Sequence, residues 1–411
     1  MWGQKSRIKN FEFRIQNRKC FFYLYIRLTI NIRDIMKHTF LLPVMAALAL
    51  AACEQKPISD KAFYLTEENM PPVQTIEAEL VELPDVDECI NADFNVYQDS
   101  ILIIRPKTDA FPWKFYAMNL NRGEIFAHFL HKGNGPGEVN YCYTKMQKNL
   151  LIGHDPYKNN LFFFNLDSLT VYGQAYKPKT MQTDIQVDYI DFLTDTSLLI
   201  CNTFYLEGEG IPENATVPEL LVTDAKGKTG YKVPDNVYSA INYSHTNVAT
   251  NIKKDRVFLG YQYKPQFTLL NTNLDTVKII LGPDKPQKIK YEISYGNMNR
   301  VNEEKEYVQS MYSTDNYIFA TMDTIQPQRP PIPQDINEIG KWIAESHKLL
   351  VELHLEIYKF DWDGNLIARY KQNTGNRIIY IAGYSEPTNT LYVMLDSESG
   401  EWKLAKIKLD K

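Results

Sequence analysis

The sequence is poor in residues that carry metal and redox chemistry. Its 411 residues include seven histidines and five cysteines, and only Cys89, Cys142 and Cys201 follow Cys53. None of these three belongs to a CxxC pair, so no zinc site is predicted and they are interpreted as packed thiols. Their odd number argues against a disulfide framework, although one pair among the three is an open alternative.

Catalytic motifs and clustered positive charge are also absent from residues 53–411. This region has no His-x-Glu-His, Gly-x-Ser-x-Gly or Ser-x-x-Lys pattern, so no catalytic, cofactor-binding or metal-binding residue is predicted. The whole chain carries a net charge of −5, of which residues 1–35 contribute +6 and Lys37 contributes +1, which leaves −12 for residues 53–411. Nucleic-acid binding needs clustered Lys and Arg, so a nucleic-acid partner is excluded.

No apolar run is long enough to cross a bilayer, which takes roughly 20 residues. The longest run, Phe40–Ala52, follows the basic start Met36-Lys37 and leads through small residues into Cys53. This order is typical of a bacterial lipoprotein signal. We expect the Cys53 thiol to accept a diacylglycerol, the chain to be cleaved before Cys53, and the new amino terminus to be acylated by a fatty acid such as palmitate, which together would anchor the protein to a membrane.

The position of this signal predicts how the first part of the chain is organised. Residues 1–35 are interpreted as a mis-assigned upstream segment and Met36 as the true start, with a basic cytoplasmic extension as the alternative. Residues 36–52 are the predicted signal peptide, and residues 53–72 are a predicted tether. Glu54 follows the acylated cysteine where an aspartate often retains lipoproteins on the inner membrane, so the outer membrane is favoured, on either its periplasmic or its surface face.

What the chain does have is a β pattern that recurs six times. The copies begin at residues 101, 150, 198, 257, 317 and 391, each with a short apolar strand. Repetition of a strand-rich unit near 50 residues predicts an all-β fold, a six-bladed β-propeller over residues 73–411. The last copy ends too early for a fourth strand, so the alternating segment Val73–Val81 is expected to close it. In the fifth copy, the proline-rich segment 326–333 precedes a predicted short amphipathic helix over 335–348.

One loop, His131–Val139, combines three glycines and a proline after a predicted strand. It is neither a P-loop nor a dinucleotide fingerprint, because no helix follows the glycines. The simpler interpretation is a tight connection between the first two repeats. In the alternative interpretation, Lys132, Asn134 and Glu138 present polar groups to a ligand at one face of the ring.

The pattern Gly133-Asn134-Gly135-Pro136-Gly137-Glu138, the hairpin Phe360–Asn365, the cysteine signal and the six repeats together resemble a known family. They are similar to TolB-like six-bladed propeller lipoproteins of Gram-negative anaerobes, and the resemblance covers about 75–411. It implies a fold and a location in the cell envelope. Most members are uncharacterised, so it implies no activity.

Two functions are therefore weighed. The first is a binding or protein-assembly scaffold that uses loops at a propeller face to hold an envelope protein, a peptide or a glycan. Tyrosines such as Tyr141, Tyr143, Tyr261 and Tyr263 are candidates for stacking on such a partner. The alternative is a metal-dependent hydrolase of the lactonase type, whose ligands come from several blades and are not visible in sequence spacing.

Overall fold

The computed structural model describes most of the chain after residue 59. The described residues are 60–84, 87–89, 92–108, 110–135, 137–140, 142–155, 157–182, 189–192, 197–201, 220–224, 229–232, 246–261, 265–282, 291–294, 297–300, 307–323, 336–342, 345, 355–372, 377–396 and 402–409. The predicted upstream segment, the signal peptide and Cys53 all lie outside them. Over the described ranges, no helix is both long and apolar enough to cross a membrane.

Antiparallel sheets of at least four strands follow one another along the chain, as the repeated pattern predicts. Three short strands precede them, namely β1 (Ala62–Tyr64), β2 (Val73–Ile76) and β3 (Glu79–Leu80). The first sheet contains β4 (Ala92–Tyr97), β5 (Ile101–Pro106), β6 (Trp113–Asn119) and β7 (Glu124–His131). The second contains β8 (Tyr143–Gln147), β9 (Leu150–Asp155), β10 (Asn160–Asn165) and β11 (Lys179–Gln182).

The remaining sheets repeat this arrangement. The third contains β12 (Tyr189–Phe192), β13 (Ser197–Cys201), β14 (Leu220–Asp224) and β15 (Thr229–Lys232). The fourth contains β16 (Thr246–Asn251), β17 (Arg256–Tyr261), β18 (Gln266–Leu270) and β19 (Thr276–Leu281), and a separate ladder of β20 (Tyr291–Ser294) and β21 (Asn297–Arg300) follows it. The fifth contains β22 (Val308–Ser313), β23 (Tyr317–Asp323), β24 (Leu355–Asp361) and β25 (Leu366–Gln372), and the sixth contains β26 (Arg377–Ser385), β27 (Thr390–Asp396) and β28 (Trp402–Lys408).

The apolar strands that define the six predicted repeats are the second strands of the six sheets. In β5, for example, all four residues from Ile101 to Ile104 are buried. A strand covered on both faces reads as a continuous apolar run, which makes it the easiest strand to detect in sequence. Each repeat therefore begins one strand earlier than its apolar run.

Neighbouring sheets contact each other through large apolar and aromatic side chains. Five such junctions are described. The third and fourth sheets meet through Leu199 and Val248, the fourth and fifth through Phe258 and Phe360, and the fifth and sixth through Phe319 and Tyr384. The sixth and first sheets meet through Tyr380 and Phe94, and the first and second through Phe129 and Phe164. Most side chains of the third sheet lie outside the described residues, so its junction with the second sheet is not described. Successive four-stranded sheets packed face to face in chain order define an all-β propeller.

Residues 61–80 form a strap, here called the N-terminal strap, along the outer edges of the last three sheets. Strand β1 pairs parallel with β19, β2 pairs parallel with β25, and β3 pairs antiparallel with β28. Strand β3 thus completes the sixth sheet, but only Glu79–Leu80 of the predicted closing segment does so, because Val73–Ile76 pairs with the fifth sheet.

The strap includes the last part of the predicted tether, residues 53–72. Within it, Ala62–Tyr64 forms a strand. Leu65 and Met70 are buried in the same apolar cluster as Phe360. Leu65 ends the short apolar run that begins at Ala62, and Met70 stands alone after a polar segment, so neither shows the alternation that would predict its burial.

Helices are short. In the fifth repeat a 3₁₀ turn, Ile336–Glu338, leads into helical residues at 339–342, within the predicted helix. The proline-rich segment before it lies outside the described residues. The second sheet contains an unpredicted helix, α1 (Leu166–Tyr172), between β10 and β11. Shorter 3₁₀ turns are Asp87–Cys89, Gly173–Ala175 and Ile252–Lys254.

Candidate functional site

The glycine-rich loop predicted as a ligand site connects β7 to β8. The carboxylate of Glu138 turns into the loop, where its Oε1 lies 3.2 Å from Nδ1 of His131 and its Oε2 accepts a 2.8 Å hydrogen bond from the backbone N–H of Gly135. A Cβ at Gly133 would lie 2.0 Å from the same Oε2. The positive φ of 150° at Gly133 favours glycine, and the Glu138 carboxylate fills the space beside it.

The remaining polar groups of the loop also contact the protein. The ammonium of Lys132 donates a 2.8 Å hydrogen bond to the carbonyl of Thr108, and the amide of Asn140 donates to Oδ1 of Asn134. The ammonium of Lys158 donates to three backbone carbonyls of the loop, those of Gly133, Gly135 and Glu138. These contacts favour the loop as a tight connection between sheets, and a ligand at Lys132, Asn134 and Glu138 stays a prediction.

The strand turns at one end of the ring's centre meet at a single carboxylate. Oδ1 of Asp315, in the β22–β23 turn, lies 3.2 Å from the ammonium of Lys148 in the β8–β9 turn, and its Oδ2 lies 3.4 Å from that of Lys253. Burial opposes ionisation of Asp315, but Lys148 and Lys253 outweigh it and hold the pKa of Asp315 below its usual value. Turns of the second, fourth and fifth sheets are thereby tied together.

A second charged cluster joins the first and sixth sheets. Asp93 on β4 is buried and accepts a 2.8 Å hydrogen bond from Nε of Arg105, while the ammonium of Lys107 lies 3.3 Å from its other oxygen. Burial lowers the pKa of Lys107, and burial also raises the pKa of the nearby Tyr380 hydroxyl. Each charge has an opposite partner, which is the arrangement expected of a structural ion pair.

The predicted tyrosine and cysteine candidates take structural positions where they are described. Tyr261 is fully buried and its hydroxyl contacts Oγ1 of Thr268 at 3.3 Å, so it packs between strands. Cys89 is a half-buried free thiol, whereas Cys142 is buried, and burial raises the pKa of Cys142 to about 12. Tyr141, Tyr263 and the side chains of Tyr143 and Cys201 lie outside the described residues.

Metal-ligand geometry was also sought. Across the described ranges, no three His, Cys, Asp or Glu side chains lie close enough together to hold an ion. The acidic turn after β24 is satisfied internally, because Oδ1 of Asp361 accepts 2.9 Å hydrogen bonds from the backbone N–H groups of Asp363 and Asn365. The metal-dependent hydrolase alternative therefore gains no support from these residues.

A shallow concave site lies between the β6–β7 turn and helix α1. It is a groove of about 350 Å³ lined by Ile101, Asn119, Arg122, Glu124, Phe126, Thr170, Val171, Tyr172 and Gly173. Val171 is 75% exposed and Tyr172 is 64% exposed, so the helix presents two large apolar side chains at the rim. Arg122 and Glu124 face them from the turn, and neither has an ion pair with another described residue.

Local sequence explains why a helix forms the rim of this groove. Asn165 caps α1 by accepting a 2.9 Å hydrogen bond from the backbone N–H of Ser168, and Asp167 lies in the first turn, where negative charge is favourable. The hydroxyl of Tyr97 on the first sheet donates a 2.5 Å hydrogen bond to Asp167. The helix ends at Gly173, which adopts a positive φ of 52°.

The segment after α1 also covers the outer edge of the first sheet. The side-chain amide of Gln174 accepts from the backbone N–H of His128 at 2.9 Å and donates to the carbonyl of the same residue at 3.0 Å. One glutamine therefore substitutes for a paired strand at one residue of β7. The rest of the space beside this strand forms the groove.

The sequence does not reveal this site by its repeats. Phe162–Tyr172 matches Phe267–Val277, where a strand is followed by a turn and another strand, but after Asn165 a helix forms instead. The available signal was Asn165 followed by an acidic first turn, with Leu166 and Leu169 at i and i+3 and both buried. It was overlooked because the neighbouring repeats continue as strands at the same point.

No protein-family model matches this chain, and no curated protein matches it significantly. Solved structures do resemble it. One is a Bacteroides fragilis protein that is inferred to be exported, with 13% identity, a TM-score of 0.48, and coverage of 85% of this chain and 99% of that one. Another is a member of the DUF4221 family from Bacteroides vulgatus, with 11% identity, a TM-score of 0.49, and coverage of 82% and 99%.

A third similar structure is the β-propeller domain of Cps50 (Swd1) from Myceliophteria thermophila. It has 8% identity, a TM-score of 0.37, and coverage of 81% of this chain and 100% of that one. Because every one of these TM-scores is below 0.5, the likeness carries no functional argument, and the fold class rests on the sheets described above.

Proposed function

We propose that this protein is an acylated envelope lipoprotein of the TolB-like kind, anchored through Cys53, whose six sheets close into a six-bladed ring that serves as a binding or assembly module. The order of residues 36–53 supports the anchor, and the absence of an aspartate after Cys53 favours the outer membrane. Completion of the sixth sheet by β3 supports ring closure, because it joins the start of the propeller to its last strand.

The groove between the β6–β7 turn and α1 carries the binding proposal. Its volume of about 350 Å³ falls in the range of small-ligand and side-chain pockets. Val171 and Tyr172 are adjacent, largely exposed apolar side chains beside a concavity, and contiguous exposed apolar surface is a feature of interaction sites. An apolar helix end facing Arg122 and Glu124 suits a peptide segment of another envelope protein, with an apolar side chain in the groove and a charged group beside it.

The test is crosslinked capture from cells. The acylated protein is extracted from membranes after mild crosslinking, and its partners are identified and quantified by mass spectrometry. The groove variants are Tyr172→Ala and Val171→Asp. The control is Tyr157→Ala, because Tyr157 is 80% exposed but lies at the opposite end of β10 from α1.

We expect the wild-type protein and the Tyr157→Ala control to recover one envelope protein in stoichiometric amount, and both groove variants to lose it. Recovery of the wild-type protein alone would contradict the binding module. Retention of the same partner by both groove variants would contradict the groove as its site.

A further inference from the structure

The first strand of the N-terminal strap places aromatic side chains on the outer rim of the fourth sheet. Phe63 and Tyr64 of β1 are each 42% exposed, and Val277 at the start of β19 is 39% exposed. The ammonium of Lys278 lies 5.0 Å from the centre of the Phe63 ring. Aromatic side chains beside a lysine are the residues that settle at the boundary between water and lipid.

The chain length before β1 limits how far this rim can lie from the anchor. Eight peptide steps separate Cys53 from Lys61, which at about 3.6 Å per residue gives a reach of about 29 Å. A folded unit of this length has a radius of gyration of roughly 20 Å and so a diameter of roughly 50 Å. An anchor at Cys53 therefore holds the start of β1 within about 29 Å of the bilayer, so the rim of the fourth sheet can touch the lipid surface, whereas a sheet edge a full diameter away is beyond the reach of this segment.

We propose that the rim formed by Phe63, Tyr64, Val277 and Lys278 is a membrane-contact surface that rests on the lipid interface and sets the orientation of the propeller. The inference rests on the proposed acylation of Cys53. The contact is aromatic rather than electrostatic, because residues 53–411 carry −12 and anionic headgroups would repel them.

This orientation has a consequence for the groove. In a six-sheet ring the first sheet stands three positions from the fourth, and the groove opens beside β7 of the first sheet. An anchor-side rim at the fourth sheet therefore turns the groove away from the bilayer. A partner in the aqueous compartment could then reach Val171 and Tyr172 while the acyl chains remain inserted.

The test measures the depth of single nitroxide labels on the acylated full-length protein in vesicles of phosphatidylcholine and phosphatidylethanolamine. Labels are attached at Tyr64→Cys and Val277→Cys, with Tyr157→Cys as the exposed control, in a Cys89→Ser, Cys201→Ser background. The rate at which each nitroxide collides with a water-soluble nickel chelate is compared with the rate for the same label on the Cys53→Ser protein in solution. Flotation of the vesicles and the mass of the amino-terminal peptide report acylation independently.

We expect a several-fold loss of nickel accessibility at positions 64 and 277 in vesicles and no change at position 157. If the protein is acylated and bound to vesicles but positions 64 and 277 are as accessible to nickel as position 157, the inference is overturned and the anchor stands. Protection seen only in native membranes, and not in pure lipid, would overturn it in favour of a protein occupant. Absence of acylation and flotation would overturn the anchor and the inference together.

Discussion

The outer edges of the sheets are covered in two different ways. On the side of the fourth to sixth sheets, the N-terminal strap adds main-chain strands, and three of its own side chains, Leu65, Met70 and Ile76, are buried. On the side of the first and second sheets, a single glutamine caps β7 and a short helix stands beside it. A paired strand satisfies the backbone hydrogen-bonding groups along an edge strand and leaves no space beside it. A side-chain cap satisfies the backbone groups of one residue only and leaves a groove beside the strand. Of these two sides, the candidate site lies on the one whose edge is covered less.

Removing the strap should have the largest effect on this contrast. A chain that begins at Leu83 loses three buried apolar side chains, each contributing about 1.5–3 kcal/mol, so we expect a loss of unfolding free energy of about 5 kcal/mol or more. It also opens three sheet edges, which promotes aggregation. Urea unfolding measures the change, with a chain that begins at Asp60 as the control. Equal midpoints for the two chains would show that the strap does not stabilise the ring.

The buried ion pair beneath the strap provides the next test. Arg369 lies 2.9 Å from Oε2 of Glu356, and both side chains are 8% exposed. Arg369→Met should lower the unfolding free energy by about 3–5 kcal/mol, because it leaves Glu356 buried without a partner. The double variant with Glu356→Met should recover most of that loss. Glu67→Ala, at an exposed strap residue that also contacts Arg369, should lower the unfolding free energy by under about 1 kcal/mol. A small effect of Arg369→Met alone would contradict this account.

The helix side should respond more weakly to loss of its cap. Gln174→Ala removes two hydrogen bonds to His128 and should lower the unfolding free energy by about 1–2 kcal/mol, well below the effect of strap removal. Unfolding in urea gives the change. Amide hydrogen exchange should show faster exchange at His128 and no change in β25, which the strap covers. If Gln174→Ala lowered the unfolding free energy as much as the strap truncation does, the sheet edges on the two sides would be equally well covered.

The contact across the centre of the ring should have the smallest effect, and that effect should depend on pH. Lys148 and Lys253 hold the pKa of Asp315 below its usual value against the effect of burial. A lowered pKa in the folded state adds stability above the unfolded-state pKa of about 3.9, and this stability is lost as the pH falls through the folded-state value. Lys148→Met should therefore cost under about 1 kcal/mol at pH 7, because the Asp315 side chain is half exposed.

The same variant should show almost no difference from the wild type in urea unfolding at a pH below the folded-state pKa of Asp315. Lys148→Arg keeps the positive charge and is the control. A cost that does not change between neutral and acidic pH would show that Lys148 stabilises the ring through packing rather than through this ion pair.

The sequence predicted the propeller class because each second strand is covered on both faces and reads as an unbroken apolar run, as at Ile101–Ile104 and Leu391–Met394. It did not predict the strap, because Leu65 and Met70 are buried through partners far away in the chain, as the 288-residue separation of Met70 and Tyr358 shows. Burial of an isolated side chain depends on tertiary contacts that periodicity does not encode.

The candidate site shows the same limit. The glycines of the loop at 133–137 were visible, but the inward turn of Glu138 that explains them depends on contacts within the folded loop. The groove was hidden because Asn165 occupies the position of a turn residue in the other repeats, and only its cap contact with Ser168 distinguishes a helix start from a turn.

The most direct measurement places a photoactivated benzophenone amino acid at position 172, 64 or 157 of the acylated protein in living cells. The account predicts a single crosslinked protein from position 172, crosslinks to lipid rather than protein from position 64, and neither from position 157. Equal, nonspecific crosslinking at positions 172 and 157 would contradict a binding site on the helix side of the propeller.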